Sequence, residues 1–228
     1  MKLKFIAKVL RWIVAGFFIS SVIAVIAYRW IPVYVTPLMV IRCVQSVAKG
    51  ETPKLYHHWV SLNDMSIYMP VAVMASEDQN FRRHKGFDMN AIVDAAKEKM
   101  EGKRRRGGST ISQQTAKNVF LWPSSTWIRK GFEAYFTVLI ELFWSKERIM
   151  EVYLNSIEMG DGIYGVAAVA AQNFRCEASQ LTRSDCALIA ATLPNPRRFS
   201  SKHPGPFMRS RQRWIQRQMR TIDVMRVD

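Results

Sequence analysis

The chain has 228 residues, 49% of them apolar, with 33 Lys and Arg against 18 Asp and Glu and a net charge of +15. That length and apolar share exclude a disordered chain and suit one compact domain with a short appendage. The charge asks for an anionic partner, whether nucleic acid, an anionic membrane surface or a phosphorylated substrate, and does not choose among them.

Residues 12–28, WIVAGFFISSVIAVIAY, carry no charge and lie between Arg11 and Arg29. With Leu10, Trp30 and Ile31 the run is long enough to cross a bilayer as one helix. Lys2, Lys4, Lys8 and Arg11 precede it, so the positive-inside rule leaves the N-terminus in the cytoplasm and the rest outside. A cleaved signal peptide fits less well, because the run is long for its apolar core and the small-residue cleavage pattern is poor. Residues 1–31 form this anchor, 32–59 a connector broken by Pro32 and Pro37 with some helix, and 60–228 the main domain.

Beyond the connector the pattern is helical nearly throughout. Pro70 suits a first turn and Gly86 an end, which predicts a helix over 70–83. Asp88 caps a helix over 89–101 that Gly102 ends. Thr110 with Gln113 reads as a capping box opening a helix to about Val119. A long apolar helix covers 126–144, and Ser145 caps the next, through Asn155. After the turn GDGIYG comes the helical VAAVAAQNF; Ser184 caps DCALIAATL, which Pro194 stops; a basic helix follows over about 206–225. No run alternates strongly enough for a sheet, so the fold class is all-α. The three cysteines, Cys43, Cys176 and Cys186, argue by their odd number against a disulfide framework, while a Cys176–Cys186 bridge stays open.

An acidic pair, Glu77 and Asp78, follows the apolar run PVAVMA in a chain poor in acids. On a helix over 70–83, Glu77, Phe81 and His84 share one face, with Glu77 beside an apolar wall. Burial there raises a carboxyl pKa, as a general base working near neutrality requires. In GKRRRGGSTISQQTAKN (102–118), Gly107 and Gly108 free the backbone before a helix N-terminus that attracts anions. Thr110, Gln113 and Lys117 on one face suit phosphate oxygens or sugar hydroxyls. The order of a Walker loop is absent. In WIRKGFEAYF, Arg129, Lys130 and Glu133 read either as an ordinary helix ion pair or as two cations and a carboxylate for a pyrophosphate and its metal.

Five ordered segments, EDQNFRRHKG (77–86), GGSTISQQTAKN (107–118), RKGFE (129–133), KERIMEVYLN (146–155) and ALIAATLPNP (187–196), resemble the peptidoglycan glycosyltransferase family, the lysozyme-like polymerases of the bacterial cell wall. Each alone is modest; in this order they are specific, and the resemblance covers about residues 60–220. The chain ends too soon for a penicillin-binding transpeptidase domain, so it looks like a monofunctional member. The resemblance implies a lysozyme-like domain behind a single transmembrane helix of the inner membrane, with its catalytic part on the periplasmic side. It implies polymerisation of lipid II by inverting transfer of the growing strand from polyprenyl pyrophosphate to the acceptor's 4-hydroxyl, making a β-1,4 bond. By matching of motifs, Glu77 is the general base and Glu133 the second catalytic glutamate, which assists the pyrophosphate and a divalent cation, Mg2+ or Mn2+. Asp78, Phe81 and His84 complete the first motif, and Thr110, Gln114, Lys117, Arg129 and Lys130 line the donor site. Tyr153 and Asn155 brace the cleft. Implied partners are lipid II, the growing glycan strand, the membrane and proteins of cell-wall synthesis or division. A tether or nucleic-acid binder using the positive charge is disfavoured because the topology puts the domain outside the cytoplasm.

A related hydrolase or lytic transglycosylase is the alternative enzyme, and it would leave KRRRGGST and RKGFE without a task. NVFLWPSSTW (118–127) reads equally as a dip into the outer leaflet, through Phe120, Leu121, Trp122 and Trp127, or as core. Three positions depart from the family pattern: Ser76 where Ala is common, Cys176–Glu177 where Gly-Lys is usual, and Asp185 where Glu is usual. None is expected to touch a catalytic residue.

Overall fold

The computed structural model describes residues 2–100 and 108–225. Gly102, the KRRR run at 103–106 and Gly107 lie outside the described residues. The architecture is a helical domain with a long N-terminal helix, as the periodicity predicts. That helix, α1 (Lys2–Tyr28), is long and apolar enough to cross a membrane.

The last turns of α1 are bonded to the domain. Trp144 Nε1 donates to the Val25 carbonyl at 2.7 Å, and Ser21 Oγ pairs with the Tyr135 hydroxyl at 2.7 Å. Arg148 donates to the carbonyls of Tyr28 (3.0 and 2.8 Å) and Ile31 (2.7 Å). Those carbonyls have no partner within the helix, and a cation there also complements the negative end of its dipole. The C-terminal end of α1 is therefore held by the domain that follows.

α2 (Pro37–Ala48) starts at Pro37, which opens the helix as its first residue where sequence predicted a break. A first-turn N–H is unpaired anyway, so proline is tolerated there. Thr36 caps it, and Met39 is fully buried.

The centre of the fold is α3 (Tyr68–Glu77), buried from Met69 to Ala75. It packs against α9 (Arg183–Thr192) and α10 (Pro206–Gln218). α5 (Ile111–Phe120) packs on α6 (Trp127–Phe143) and on α7 (Lys146–Ser156), and α4 (Met89–Met100) precedes that group. The local end signals hold: Thr110 and Gln113 form the capping box, Ser145 caps α7, and Asp88 Oδ1 accepts from the Ala91 N–H at 3.0 Å.

Several expectations need correction. The first motif is not one helix over 70–83: α3 stops at Glu77, and Asp78 turns the chain with φ −161°. Glu77, Phe81 and His84 therefore do not share a helical face. The cap of α9 is Thr182, not Ser184; its hydroxyl accepts from the Asp185 N–H while Asp185 accepts from the Thr182 N–H. The basic helix ends at Gln218. A small sheet exists, in the order β1 (Tyr56–His57), β3 (Ile163–Tyr164), β2 (Glu158–Gly160), parallel between β1 and β3 and antiparallel between β3 and β2. It escapes a periodicity search because two or three residues hold no full alternation. Leu121, predicted to touch lipid, is 3% exposed and belongs to the core, and Phe120 stacks on Phe136 at 4.5 Å. Trp127, by contrast, is 91% exposed. The three cysteines are free thiols.

Two glycines fix close approaches. Gly86 has φ +87°, and a Cβ there would lie 2.8 Å from Thr137 Cγ2. Gly165 has φ +81°, opens α8 (Val166–Val169), and would put a Cβ 2.6 Å from the Asn155 carbonyl. Both positions favour glycine twice, by backbone conformation and by space.

Candidate active site

Glu77 is the last residue of α3, whose residues Met69 to Ala75 are buried, and its carboxylate meets Gln114, a residue of the cleft wall. Gln114 Nε2 donates to Oε2 at 3.2 Å and Ser76 Oγ to Oε1 at 3.0 Å. Behind Gln114, the Tyr153 hydroxyl donates to its Oε1 at 3.2 Å, which fixes the amide with its NH2 toward the acid. Burial raises the Glu77 pKa above its ordinary value, against the two hydrogen bonds and the charge of Arg211, and Asp78 adds a smaller push in the same direction. Such a carboxylate keeps a stronger appetite for a proton than one in water. Tyr153, fully buried and facing the Glu77 and Asp78 charges, has its pKa raised as well and stays a neutral donor.

The neighbouring acid does different work. Asp78 accepts from the Ile111 N–H at 2.9 Å, in the first turn of α5, and pairs with His84 Nε2 at 2.9 Å. The Gly86 N–H donates to His84 Nδ1 at 3.1 Å, which leaves the ring proton on Nε2, pointing at Asp78. Thr110 Oγ1 donates to the Gly86 carbonyl at 2.7 Å while capping α5. Phe81 is fully buried. Asp78, Phe81, His84 and Thr110 are thus joined to one another and to the frame of the first motif. Thr110 and Gln113, expected to face phosphate, have their polar groups engaged in the capping box instead. Lys117 alone of that trio is turned to the cleft.

The second motif pair builds a cationic cluster. Arg129 Nη1 bonds Glu133 Oε2 at 2.6 Å with side chains only 9% and 4% exposed, and Lys130 Nζ bonds the other oxygen, Oε1. Lys117 feels Glu133, Arg129, Lys130 and Glu77 together; burial depresses its pKa, and the Glu133 carboxylate works against that. Three cations and one carboxylate leave two positive charges, the complement of a pyrophosphate diester. Arg129 Nε is buried and has no partner among the described residues, an unfilled donor in this cluster.

The cleft itself, about 370 Å³, is lined by Gln114, Lys117, Trp122, Glu158 and Pro194, with Arg42 of α2 on its far wall. Asn155, expected to brace the cleft, ties α7 to the segment before α3: its side chain accepts from the Val60 N–H at 3.0 Å and donates to the Val60 carbonyl at 2.9 Å.

Three participants escape sequence reasoning. Ser76, whose departure from the family pattern is expected to affect local packing only, touches the catalytic candidate through its hydroxyl. Arg211, from α10, donates to the Ser76 carbonyl at 3.4 Å and acts on Glu77 by its charge. No local pattern ties residues 135 apart in the chain. Arg42 lies in the connector, where nothing in the spacing singles it out.

Among the described residues no group of three His, Cys, Asp or Glu side chains comes together to hold a metal. Glu133 has both oxygens engaged by cations, so the donor set does not fit a resident divalent ion.

The family model described as Transglycosylase matches residues 45–220. The chain is 59% identical over 220 residues to a biosynthetic peptidoglycan transglycosylase of Bacteroides thetaiotaomicron, covering 95% of this chain and 89% of that protein. Proteins with the same description from Bdellovibrio bacteriovorus (51% identical; 90% and 83% covered) and Xanthomonas campestris (46%; 93% and 88%) are similar over nearly the same span. Motif order, the paired carboxylate and cation clusters, and similarity along almost the whole length agree: the chain belongs to the transglycosylase family.

Proposed function

We infer that Glu77 is the general base of this peptidoglycan glycosyltransferase, which polymerises lipid II into β-1,4-linked glycan strands. The observation that carries the reading is a carboxylate of raised pKa at the end of a buried helix, coupled through Lys117 to a cluster with two net positive charges. A sugar hydroxyl is a weak nucleophile. As the acceptor's 4-hydroxyl attacks the donor's anomeric carbon, its proton passes to a Glu77 oxygen. The bond from the anomeric carbon to the pyrophosphate oxygen breaks with inversion, the bonding pair stays on that oxygen, and the polyprenyl pyrophosphate leaves with three negative charges, one more than it carried as a diester. Lys117, Arg129 and Lys130 meet that charge as it grows, already fixed in place, which is the arrangement that lowers a barrier most. Glu133 holds the guanidinium and ammonium in position. Gln114, held by Tyr153, orients the base.

Asp78 and His84 act as positioning residues. They tie the loop after Glu77 to the start of α5, and so set the distance between base and cations. A divalent cation, Mg2+ or Mn2+, would enter as the counter-ion of the substrate's pyrophosphate rather than as a resident metal, since both Glu133 oxygens are engaged by Arg129 and Lys130.

α1 crosses the bacterial inner membrane once, with the catalytic domain on the periplasmic face, as the basic N-terminus favours. Exposed Trp127 and Ile128 at the start of α6 rest in the interface beside it. This keeps the cleft near the headgroups of a lipid-linked substrate and leaves a surface for other proteins of cell-wall synthesis or division.

The direct test is incubation of the purified full chain, in mild detergent, with labelled lipid II and separately with preformed glycan polymer. Polymer made from lipid II, with the preformed strands left intact, is the expected result. Shortening of the strands without polymer synthesis would establish the hydrolase or lytic reading instead.

A further inference from the structure

A second cavity, about 560 Å³, opens beside the cleft between α2, the segment leading to β1, and the β2–β3 hairpin. It shares Arg42 and Glu158 with the cleft, so the two form one groove divided by that pair. Arg42 Nε stands 3.9 Å from Glu158 Oε2, beyond hydrogen-bond reach. Two residues that line the cavity each carry a polar atom buried with no hydrogen-bond partner among the described residues, Arg42 Nε and the Tyr164 hydroxyl, which a small shift of either side chain would present to a ligand. Tyr164 is fully buried, and a buried hydroxyl without a partner is costly unless something arrives to satisfy it.

The charge pattern narrows what that is. Lys49, Lys54 and Arg197 stand with Arg42 on the walls; Lys54 and Arg197 are paired with Asp161 at 3.1 and 3.5 Å, which leaves Lys49 and Arg42 as the cations, and Glu51 and Glu158 as the acids, for a ligand. The acids would repel a pyrophosphate or a phospholipid headgroup. The cations and the unfilled donors suit a carboxylate, and the acids suit an amine. A ligand bearing both is a short zwitterionic peptide. The disaccharide units handled in the adjoining cleft each carry such a peptide as a side branch on the muramyl sugar, and it must leave the cleft through one of its walls.

We propose that the cavity bounded by α2 and the β2–β3 hairpin binds the peptide branch of the saccharide held in the cleft, with Arg42 Nε and the Tyr164 hydroxyl donating to a peptide carboxylate or carbonyl. The inference rests on the polymerase reading for its substrate and stands on its own geometry for the site. It gives α2, most of which lies upstream of the matched family region, a part in substrate selection.

Two measurements test it. In the first, the full chain polymerises lipid II with its complete peptide and the same lipid-linked disaccharide with the peptide cut back to its first residue. The expected kcat/KM ratio favours the complete substrate by about tenfold, as one or two hydrogen bonds to a charged group allow. Tyr164→Phe and Lys49→Gln each move that ratio toward parity. A wild-type ratio near one, or variants that keep the wild-type ratio, overturns the proposal. The second measurement is equilibrium dialysis of a labelled, lipid-free muramyl peptide against the full chain, which needs no turnover. Binding that the Tyr164→Phe, Lys49→Gln double variant loses supports the site. Absence of binding to the wild type overturns it, whether or not the chain polymerises. A chain that binds the peptide but makes no polymer would instead contradict the proposed function alone.

Discussion

Replacing Glu133 by Gln removes the carboxylate that Arg129 and Lys130 share. The magnitude follows from burial. Arg129 and Glu133 are spaced i,i+4 on α6, and on a solvated helix such a pair is worth about 0.3–0.5 kcal/mol. Here the two side chains are 9% and 4% exposed. Taking one partner from a buried pair leaves the other charge uncompensated and costs roughly 3–5 kcal/mol. Lys117 and Lys130 then add repulsion that nothing offsets. For a domain of this size each kcal/mol moves the melting midpoint by about 2–4 °C, so the loss is roughly 6–20 °C. The assay is thermal unfolding of the detergent-solubilised chain, followed by tryptophan fluorescence, with Lys130→Gln as control. The Lys130 side chain is 41% exposed against 9% for Arg129, so solvent screens its pair with Glu133 and its loss should cost about 1 kcal/mol or less. Inorganic pyrophosphate should raise the midpoint of Glu133→Gln more than that of the wild type, because three uncompensated cations bind it more tightly. A Glu133→Gln midpoint no lower than that of Lys130→Gln would refute the buried-cluster argument.

Other outcomes follow from the same geometry. Gly86→Ala strains a backbone at φ +87° and drives a methyl to 2.8 Å from Thr137 Cγ2; it should destabilise by about 1–3 kcal/mol in denaturant titration, and a neutral effect would mean the turn can relax. Tyr153→Phe frees Gln114 and should lower kcat by about tenfold with KM little changed, the loss of one hydrogen bond that acts through another residue; an unchanged kcat would separate Tyr153 from the base. The pKa of Glu77 is raised, so activity should fall on acidification with a midpoint above the ordinary carboxyl value near 4.5. By linkage the cost of the buried charge is absent below the unfolded carboxyl value near 4.5, grows as pH rises from there and is complete above the raised folded value, so Glu77→Gln should melt higher than the wild type at neutral pH and not at pH 4. In vesicles, Trp127→Phe should remove part of the tryptophan emission quenched by brominated lipid; no change in the quenched fraction would place Trp127 in water.

The helix caps were legible because each is a local exchange between a side chain and a backbone three residues on. Thr110 with Gln113, Ser145 and Asp88 all fall where their spacing predicts. The same rule put the cap of α9 at Ser184, two residues late, because Thr182 with Asp185 forms an equally local box and the two compete. The end of α3 was not legible. Its residues through Phe81 are compatible with helix, and the turn at Asp78 is set by bonds to His84 and to the Ile111 N–H, 33 positions away. The catalytic candidates were readable as types: an acid after an apolar run, cations near a second acid. Their division of labour was not, since only packing reveals that Asp78 and Thr110 bond inward while Lys117 faces out. Arg42 and Tyr164 sit in stretches whose composition says connector and turn, and the cavity they line exists only once α2 lies against the hairpin.

The central claim is that the Glu77 carboxylate takes the proton of the attacking hydroxyl. The measurement closest to it is kcat for polymerisation of labelled lipid II by Glu77→Gln, made alongside thermal unfolding of the same preparation. A variant that melts at or above the wild-type midpoint near pH 7, and turns over about 10²–10⁴ times more slowly with no remaining acidic limb in its pH profile, is the predicted result. A folded Glu77→Gln enzyme that polymerises at the wild-type rate would contradict it.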